Sequence, residues 1–242
     1  MIMVYNMLTA KNGKKATFAL LVDPDEHSAK GIETLANQAE KVGVDIIFFG
    51  GSLVKSHIDT TLSALKRCTK IPVVLFPGNA IQFCGKADAI LLLSLISGRN
   101  PDYLIGNHVI VSNAIKESGM EVIPTGYMLI ESGVATSVQY MSNTMPIPSS
   151  KIDIAVATAL AGQQLGLKAI YLEAGSGAKH PVPPDLIREV RKNIDIPIIV
   201  GGGLCLPEQV NASRDAGANL VVVGNAIEKN PNLLSELVKA SR

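Results

Sequence analysis

The sequence lacks the features that would commit it to several large classes of protein. It has three cysteines, Cys68, Cys84 and Cys205, an odd number without the close spacing of a metal site. That excludes a disulfide framework and fits buried thiols in a reducing cytosol. Neither C-x-x-C nor H-E-x-x-H occurs, and no Ser-His-Asp arrangement can be placed. The four histidines, His27, His57, His108 and His180, are scattered without a helical i, i+4 pair and read as solvated or structural. Lys and Arg total 22 against 21 Asp and Glu, a net charge of +1, so nothing electrostatic draws the chain to nucleic acid or to an anionic membrane surface. The most apolar run, Ala89 to Ile96, is far short of the about 20 residues of a spanning helix. Met1 to Lys15 gathers its lysines after its apolar residues, the reverse of a secretory signal, and is expected to form a short surface helix. The expectation is a cytoplasmic protein, and partners have to be argued from a site.

What is present is a recurring alternation. Eight apolar, β-rich runs of strand length occur at Phe18–Val22, Asp45–Phe49, Pro72–Phe76, Ala89–Leu95, Glu121–Thr125, Ala169–Glu173, Pro197–Val200 and Leu220–Val223. Their near-continuous apolar character suits strands buried on both faces of a parallel sheet. Amphipathic helices are expected between them at 27–42, 58–67, 103–118, 152–165, 185–193, 207–216 and 232–240, several closed by glycine. Eight such units over 242 residues, with no linker and no short-period repeat, predict a single (β/α)8 TIM barrel spanning residues 1–242. Two crossovers are irregular. Asn79 to Lys86 is too short for a full helix, which predicts a reduced third helix and an opening in the barrel wall. Ile130 to Ser150 is rich in Gly, Ser, Thr and Pro and reads as a long loop over the barrel top.

In such barrels active sites form at the C-terminal strand ends, and phosphate commonly binds after strands seven and eight. Gly201-Gly202-Gly203 follows the seventh run, and Gly224-Asn225 the eighth. Their backbone N–H groups and the helix starts behind them can converge on one anion. The sixth run ends Tyr171-Leu172-Glu173-Ala174-Gly175-Ser176-Gly177. Period-two alternation puts Tyr171 and Glu173 on one face and Leu172 on the other. Gly175 and Gly177 bring backbone N–H groups close to an anion, while a carboxylate such as Glu173 accepts hydrogen bonds from the hydroxylated part of the same ligand. The pattern suggests a small phosphorylated polyol. Asp23, ending the first run, and Ser52, after Gly50-Gly51, lie on the same rim and form the hard-oxygen set that Mg²⁺ uses when water and substrate phosphates complete its shell. Asp25 and Glu26 read as helix-capping or first-turn carboxylates. Tyr127, in Pro124-Thr125-Gly126-Tyr127, either faces the site or closes the barrel top.

These motifs, with Leu-Val-Asp-Pro-Asp at 21–25 and Arg-Asn-Pro at 99–101, resemble the geranylgeranylglyceryl phosphate synthase family, which includes bacterial heptaprenylglyceryl phosphate synthases. The likeness covers nearly the whole chain. The Ala-Gly-Ser-Gly form is similar to the larger archaeal and Bacteroidetes subgroup. The resemblance implies transfer of a geranylgeranyl group from its diphosphate to the C3 hydroxyl of sn-glycerol 1-phosphate, releasing diphosphate and forming an ether-lipid precursor. It further implies that Tyr171, Leu172, Glu173, Ala174, Gly175, Ser176, Gly177, Gly202, Gly203, Gly224 and Asn225 bind glycerol 1-phosphate, that Asp23 and Ser52 hold Mg²⁺, and that the protein self-associates as a dimer or hexamer.

Chemically, Glu173 is the expected acceptor of the glycerol hydroxyl proton. The prenyl tail needs an apolar trough, expected at the thin third crossover near Phe76, Pro77, Ile81 and Tyr103, with Tyr103 limiting its depth. Product release gives a reason for passing membrane contact, although no amphipathic anchor is evident. Two departures stand out: Glu26 occupies a position where many relatives have lysine, and Leu204-Cys205 one where Ile-Arg is common. The second removes a fixed positive charge near the expected phosphate. The rival readings are a sugar-phosphate isomerase, which needs a second acid/base group opposite Glu173, and a phosphate-binding barrel without catalysis.

Overall fold

A computed structural model describes residues 3–9 and 15–242. Eight parallel strands close into a barrel in strict sequence order. They are β1 (Thr17–Val22), β2 (Ile46–Phe49), β3 (Val73–Leu75), β4 (Ala89–Leu95), β5 (Glu121–Leu129), β6 (Ala169–Glu173), β7 (Ile198–Gly201) and β8 (Leu220–Val223), with β8 pairing back onto β1. The helices are α1 (Val4–Thr9), α2 (Ala29–Val42), α3 (Ile58–Cys68), α4 (Asn107–Ser118), α5 (Ser137–Ser142), α6 (Ile152–Gln164), α7 (Pro184–Asn193), α8 (Pro207–Asp215), α9 (Asn225–Lys229) and α10 (Leu234–Ala240).

The uniform hydrophobicity of the strands has a two-sided cause. Alternate residues point into the barrel, such as Phe48, Val74, Leu91, Tyr127, Tyr171 and Ile199. Their neighbours, such as Phe49, Leu75, Ile90, Met128, Leu172 and Val200, point at the helices. Each fully buried side chain of this size contributes roughly 1.5–3 kcal/mol of transfer free energy, so both faces select apolar residues. The expected helices at 58–67, 152–165, 185–193 and 207–216 are present within one residue at each end. The segment expected at 103–118 opens as one wide π-type turn, Asp102–Gly106, before α4. The helix expected at 232–240 is a 3₁₀ turn, Pro231–Leu233, followed by α10, and the short α9 precedes it as an additional element.

Four expectations change. The first helix does not lie on the surface: Val4 and Leu8 are 1 % exposed and pack among inward-facing strand residues. Glu121 fixes this plug by accepting hydrogen bonds from the Val4 and Tyr5 amides at 2.6 and 3.0 Å. The rest of the expected 1–15 helix, residues 1–2 and 10–14, lies outside the described residues. Strand β5 runs to Leu129, through Pro124 and Gly126. Pro124 is tolerated because its carbonyl accepts from Lys168 on the β6 side, so the missing proline donor faces the point where β6 has not yet begun. Cys205 is exposed, unlike the buried Cys84. Finally, the 130–150 segment contains α5 and an isolated parallel bridge, Ile130 to Ile147.

The third crossover is reduced as expected, to a single 3₁₀ turn, Ala80–Gln82. With no wall helix there, the flank of β3 and β4 is left open beside Phe76, Leu92, Leu93 and Tyr103.

Candidate active site

Two cavities meet at the C-terminal ends of the strands. The larger, about 430 Å³, is lined by Asp23, Ser52, Tyr171, Glu173, Ser176, Gly177, Gly202, Gly203, Gly224 and Asn225 among others. The second is an apolar trough at the open third crossover, lined by Phe76, Pro77, Phe83, Leu91, Tyr103, Val111 and Met141 among others. Gly51, Ser52, Phe76, Tyr127 and Val138 line both and form the junction.

Glu173 ends β6, with its side chain turned inward by the same alternation that turns Tyr171 inward and Leu172 outward. It is 6 % exposed. Its Oε1 accepts the Gly175 amide at 2.6 Å, and the chain can double back this tightly because Gly175 has φ +98°. Burial raises the Glu173 carboxyl from its ordinary value near 4.5 to about 7; the Gly175 amide and the nearby Tyr171 and Tyr127 hydroxyls oppose that shift. Tyr171 and Tyr127 are themselves held far above their ordinary range, chiefly by burial and then by the Glu173 charge. Among the described residues the buried Tyr171 hydroxyl has no partner in good hydrogen-bond geometry, only the Glu173 carboxylate nearby, a reason to expect a polar ligand there. Beneath lie stacked and tilted rings: Phe76 to Tyr171 at 5.3 Å and Tyr127 to Tyr171 at 5.2 Å between centroids.

The glycine-marked turns of β6, β7 and β8 stand side by side. The Ser176 hydroxyl donates to Asn225 Oδ1 at 3.0 Å, tying the first to the third, and the Ala174 amide donates to the Gly201 carbonyl at 3.0 Å. Gly202 has φ +82°, and a Cβ there would overlap Glu173 Oε1 and the Gly175 amide, so only glycine lets these backbones approach. Of the eleven residues expected to bind glycerol phosphate, Tyr171, Glu173, Ser176, Gly177, Gly202, Gly203, Gly224 and Asn225 line the cavity. Leu172 packs into the helix-facing core. Ala174 borders a separate polar cavity under the 130–136 loop, and Gly175 abuts Thr136 of that loop.

Asp23 and Ser52 both line the cavity. Asp23 Oδ1 accepts the Asp25 amide at 2.9 Å, and its other oxygen lies against Gly51, the neighbour of Ser52. One carboxylate and one hydroxyl facing an open cavity fit a Mg²⁺ shell completed by substrate phosphate and water; among the described residues no group of three acidic, His or Cys side chains could hold a metal unaided. Asp25 does not cap a helix. Its carboxylate accepts the Lys55 and Ser56 amides at 2.8 Å each, tying the β1 turn to the β2 turn, while Ser28 caps α2. Ile81 is 91 % exposed and points away from the trough.

The sequence reading missed Glu228 and Lys229, which line the larger cavity from α9. The signal available was their place within one turn of Gly224-Asn225. Burial, then the charges of Glu26 and Asp23, raise the Glu228 carboxyl to about 6. It also missed Val138 and Met141, which reach the trough from α5.

A model of the PcrB family matches residues 11–241. Over 232 residues, 96 % of this chain and 93 % of the relative, the chain is 48 % identical to a geranylgeranylglyceryl phosphate synthase of Spirosoma linguale. It is 42 % identical over 218 residues, 89 % of this chain and 86 % of the relative, to one of Thermococcus gammatolerans. The fold superposes with a TM-score of 0.93 and 31 % identity on the crystal structure of (S)-3-O-geranylgeranylglyceryl phosphate synthase from Thermoplasma acidophilum in complex with sn-glycerol-1-phosphate, covering 99 % of this chain and 98 % of that one. With identity sustained over nearly its full length, the chain belongs to the PcrB family, that of the geranylgeranylglyceryl phosphate synthases.

Proposed function

We propose that the protein transfers a prenyl group, geranylgeranyl by analogy with its relatives, from the prenyl diphosphate to the C3 hydroxyl of sn-glycerol 1-phosphate. The observation that carries this reading is the junction, where a cavity holding a buried, raised carboxylate opens onto an apolar trough. Glycerol 1-phosphate would place its phosphate on the backbone N–H groups of the β7 and β8 turns and its hydroxyls toward Glu173 and Tyr171. The prenyl tail would lie along the trough. As it stands the trough encloses about 90 Å³, below the roughly 300 Å³ typical of small-molecule pockets. A long tail would need the trough to widen, and on this reading the Tyr103 ring, which packs against the barrel interior and donates to the Met141 carbonyl at 3.2 Å, swings aside.

The allylic C–O bond to diphosphate breaks, the glycerol oxygen bonds to the allylic carbon, and the hydroxyl proton passes to the Glu173 carboxylate. The faces of Phe76 and Tyr127 at the junction are suited to the electron-deficient allyl carbon. Asp23 and Ser52 would hold Mg²⁺, whose charge offsets that of the departing diphosphate. Among the described residues Lys229 is the one cationic side chain lining this cavity, against Asp23, Glu26, Glu173 and Glu228, which gives a bound cation a clear electrostatic role. Self-association, a cytoplasmic setting and passing membrane contact belong to the same reading; among the described residues no helix is long and apolar enough to cross a membrane.

Incubating the protein with Mg²⁺, labelled glycerol 1-phosphate and prenyl diphosphates of several lengths should yield label extractable into organic solvent. No extractable label at any length, with glycerol 1-phosphate still bound, would favour a barrel that binds phosphate without catalysis.

A further inference from the structure

Gln82 is a buried polar side chain, 3 % exposed, in the 3₁₀ turn that replaces the third helix. It lines neither cavity, yet it joins the two turns that form their boundary. Its Nε2 donates to the Gly51 carbonyl at 2.8 Å, and its Oε1 accepts the Gly78 amide at 3.1 Å; the Gly51 amide lies at 3.5 Å from the same oxygen. The two turns are packed backbone on backbone, since a Cβ on Gly78 would come within 2.5 Å of the Gly51 oxygen and 2.9 Å of the Ser52 oxygen. One side of this clamp carries Ser52 and abuts Asp23. The other carries Phe76, Pro77 and Gly78, the mouth of the trough.

We propose that Gln82 is a positioning residue for the prenyl diphosphate: it fixes the turn that carries Ser52 against the turn that opens the trough, so that the diphosphate and the first carbons of the tail are held in one geometry. The inference rests on the transferase reading. Without the amide, the Gly51 carbonyl and the Gly78 amide lose their shared buried partner, and the Gly51–Ser52 peptide is free to rotate. The glycerol phosphate turns of β6 to β8 lie on other strands and make no contact with Gln82 among its hydrogen bonds.

The test is a pair of calorimetric titrations on wild type and Gln82→Met, with Mg²⁺ present: one with glycerol 1-phosphate and one with an unreactive prenyl thiolodiphosphate. The variant should bind the prenyl analogue at least about tenfold more weakly, because the junction that seats the diphosphate is no longer pre-organised, and glycerol 1-phosphate within twofold of wild type. Equal losses for both ligands, or none for either, would overturn the proposal. If Gln82→Met loses its thermal transition, the same titrations on Gln82→Asn, which keeps an amide one methylene short, decide by the same criterion. A wild type that binds no prenyl analogue of any length contradicts the transferase reading itself, a result distinct from an unselective Gln82 variant.

Discussion

The two cavities are built by opposite means. Around β6, β7 and β8 the chain is crowded: three glycine turns touch, a carboxylate and a tyrosine hydroxyl are buried together, and an added methyl group at Gly202 has no room. At the third crossover the chain is sparse, with one 3₁₀ turn where a helix would stand and a wall made of apolar side chains. On the transferase reading, the crowded region would select a small, hydroxylated anion by shape and hydrogen bonding. The sparse region is mainly apolar, with Asn79, Asn107 and His108 among its lining residues, and on the transferase reading it would discriminate chiefly by tail length. A transferase that joins a polar acceptor to an apolar donor needs both, and they share only Gly51, Ser52, Phe76, Tyr127 and Val138.

Damage to one region should therefore spare the other. Gly202→Ala forces a side chain into a positive-φ position against Glu173 Oε1. It should weaken glycerol 1-phosphate binding on the order of 10²-fold while leaving the prenyl thiolodiphosphate affinity within a few-fold, both read by calorimetry. Tyr103→Ala acts on the sparse side only. The preference for longer over shorter prenyl diphosphates, measured as a ratio of kcat/KM, should rise by about tenfold with KM for glycerol 1-phosphate unchanged; an unaltered ratio removes Tyr103 as the limit on depth.

Glu228→Gln is the finest probe. The wild-type carboxyl, raised to about 6, is ionised at pH 8 and repels the phosphate. The variant should therefore bind glycerol 1-phosphate roughly twofold to fivefold more tightly there, with the advantage vanishing below pH 6 as the wild-type group protonates. An advantage independent of pH would show that charge at Glu228 is not the cause.

The strand order and the glycine turns were legible because they are local. Strand-length apolar runs, glycine at positive φ and period-two alternation are written in consecutive residues, and they put Tyr171 and Glu173 on one face correctly. The missing third helix was legible for the same reason, as a segment too short to hold one. What failed was non-local. Asp25 looked like a cap because it precedes a helix, but its partners are the Lys55 and Ser56 amides thirty residues on. The first helix looked superficial because nothing in its own sequence reports that Glu121 holds it inside the barrel. Leu172 belongs to a substrate motif by sequence, yet its side chain faces the helices. Gln82 carried no signal at all, since its role depends on two turns from different strands.

Glu173 carries the central claim. Its carboxyl binds a proton more readily in the folded chain than in the unfolded one, so its contribution to stability is full below about pH 4.5 and is lost as pH rises toward about 7. Holding it ionised above that point costs about 3 kcal/mol. The direct measurement is the pH dependence of kcat/KM for wild type and Glu173→Gln, with thermal unfolding at pH 8. Wild-type kcat/KM should rise with pH to a plateau through an apparent pKa near 7, the value of the free protein, because the base acts when ionised. Glu173→Gln should lose at least about 10²-fold in kcat, lack that limb, and unfold at the same or a higher temperature. A variant that keeps wild-type turnover and the same pH limb, with normal glycerol 1-phosphate binding, would contradict the account.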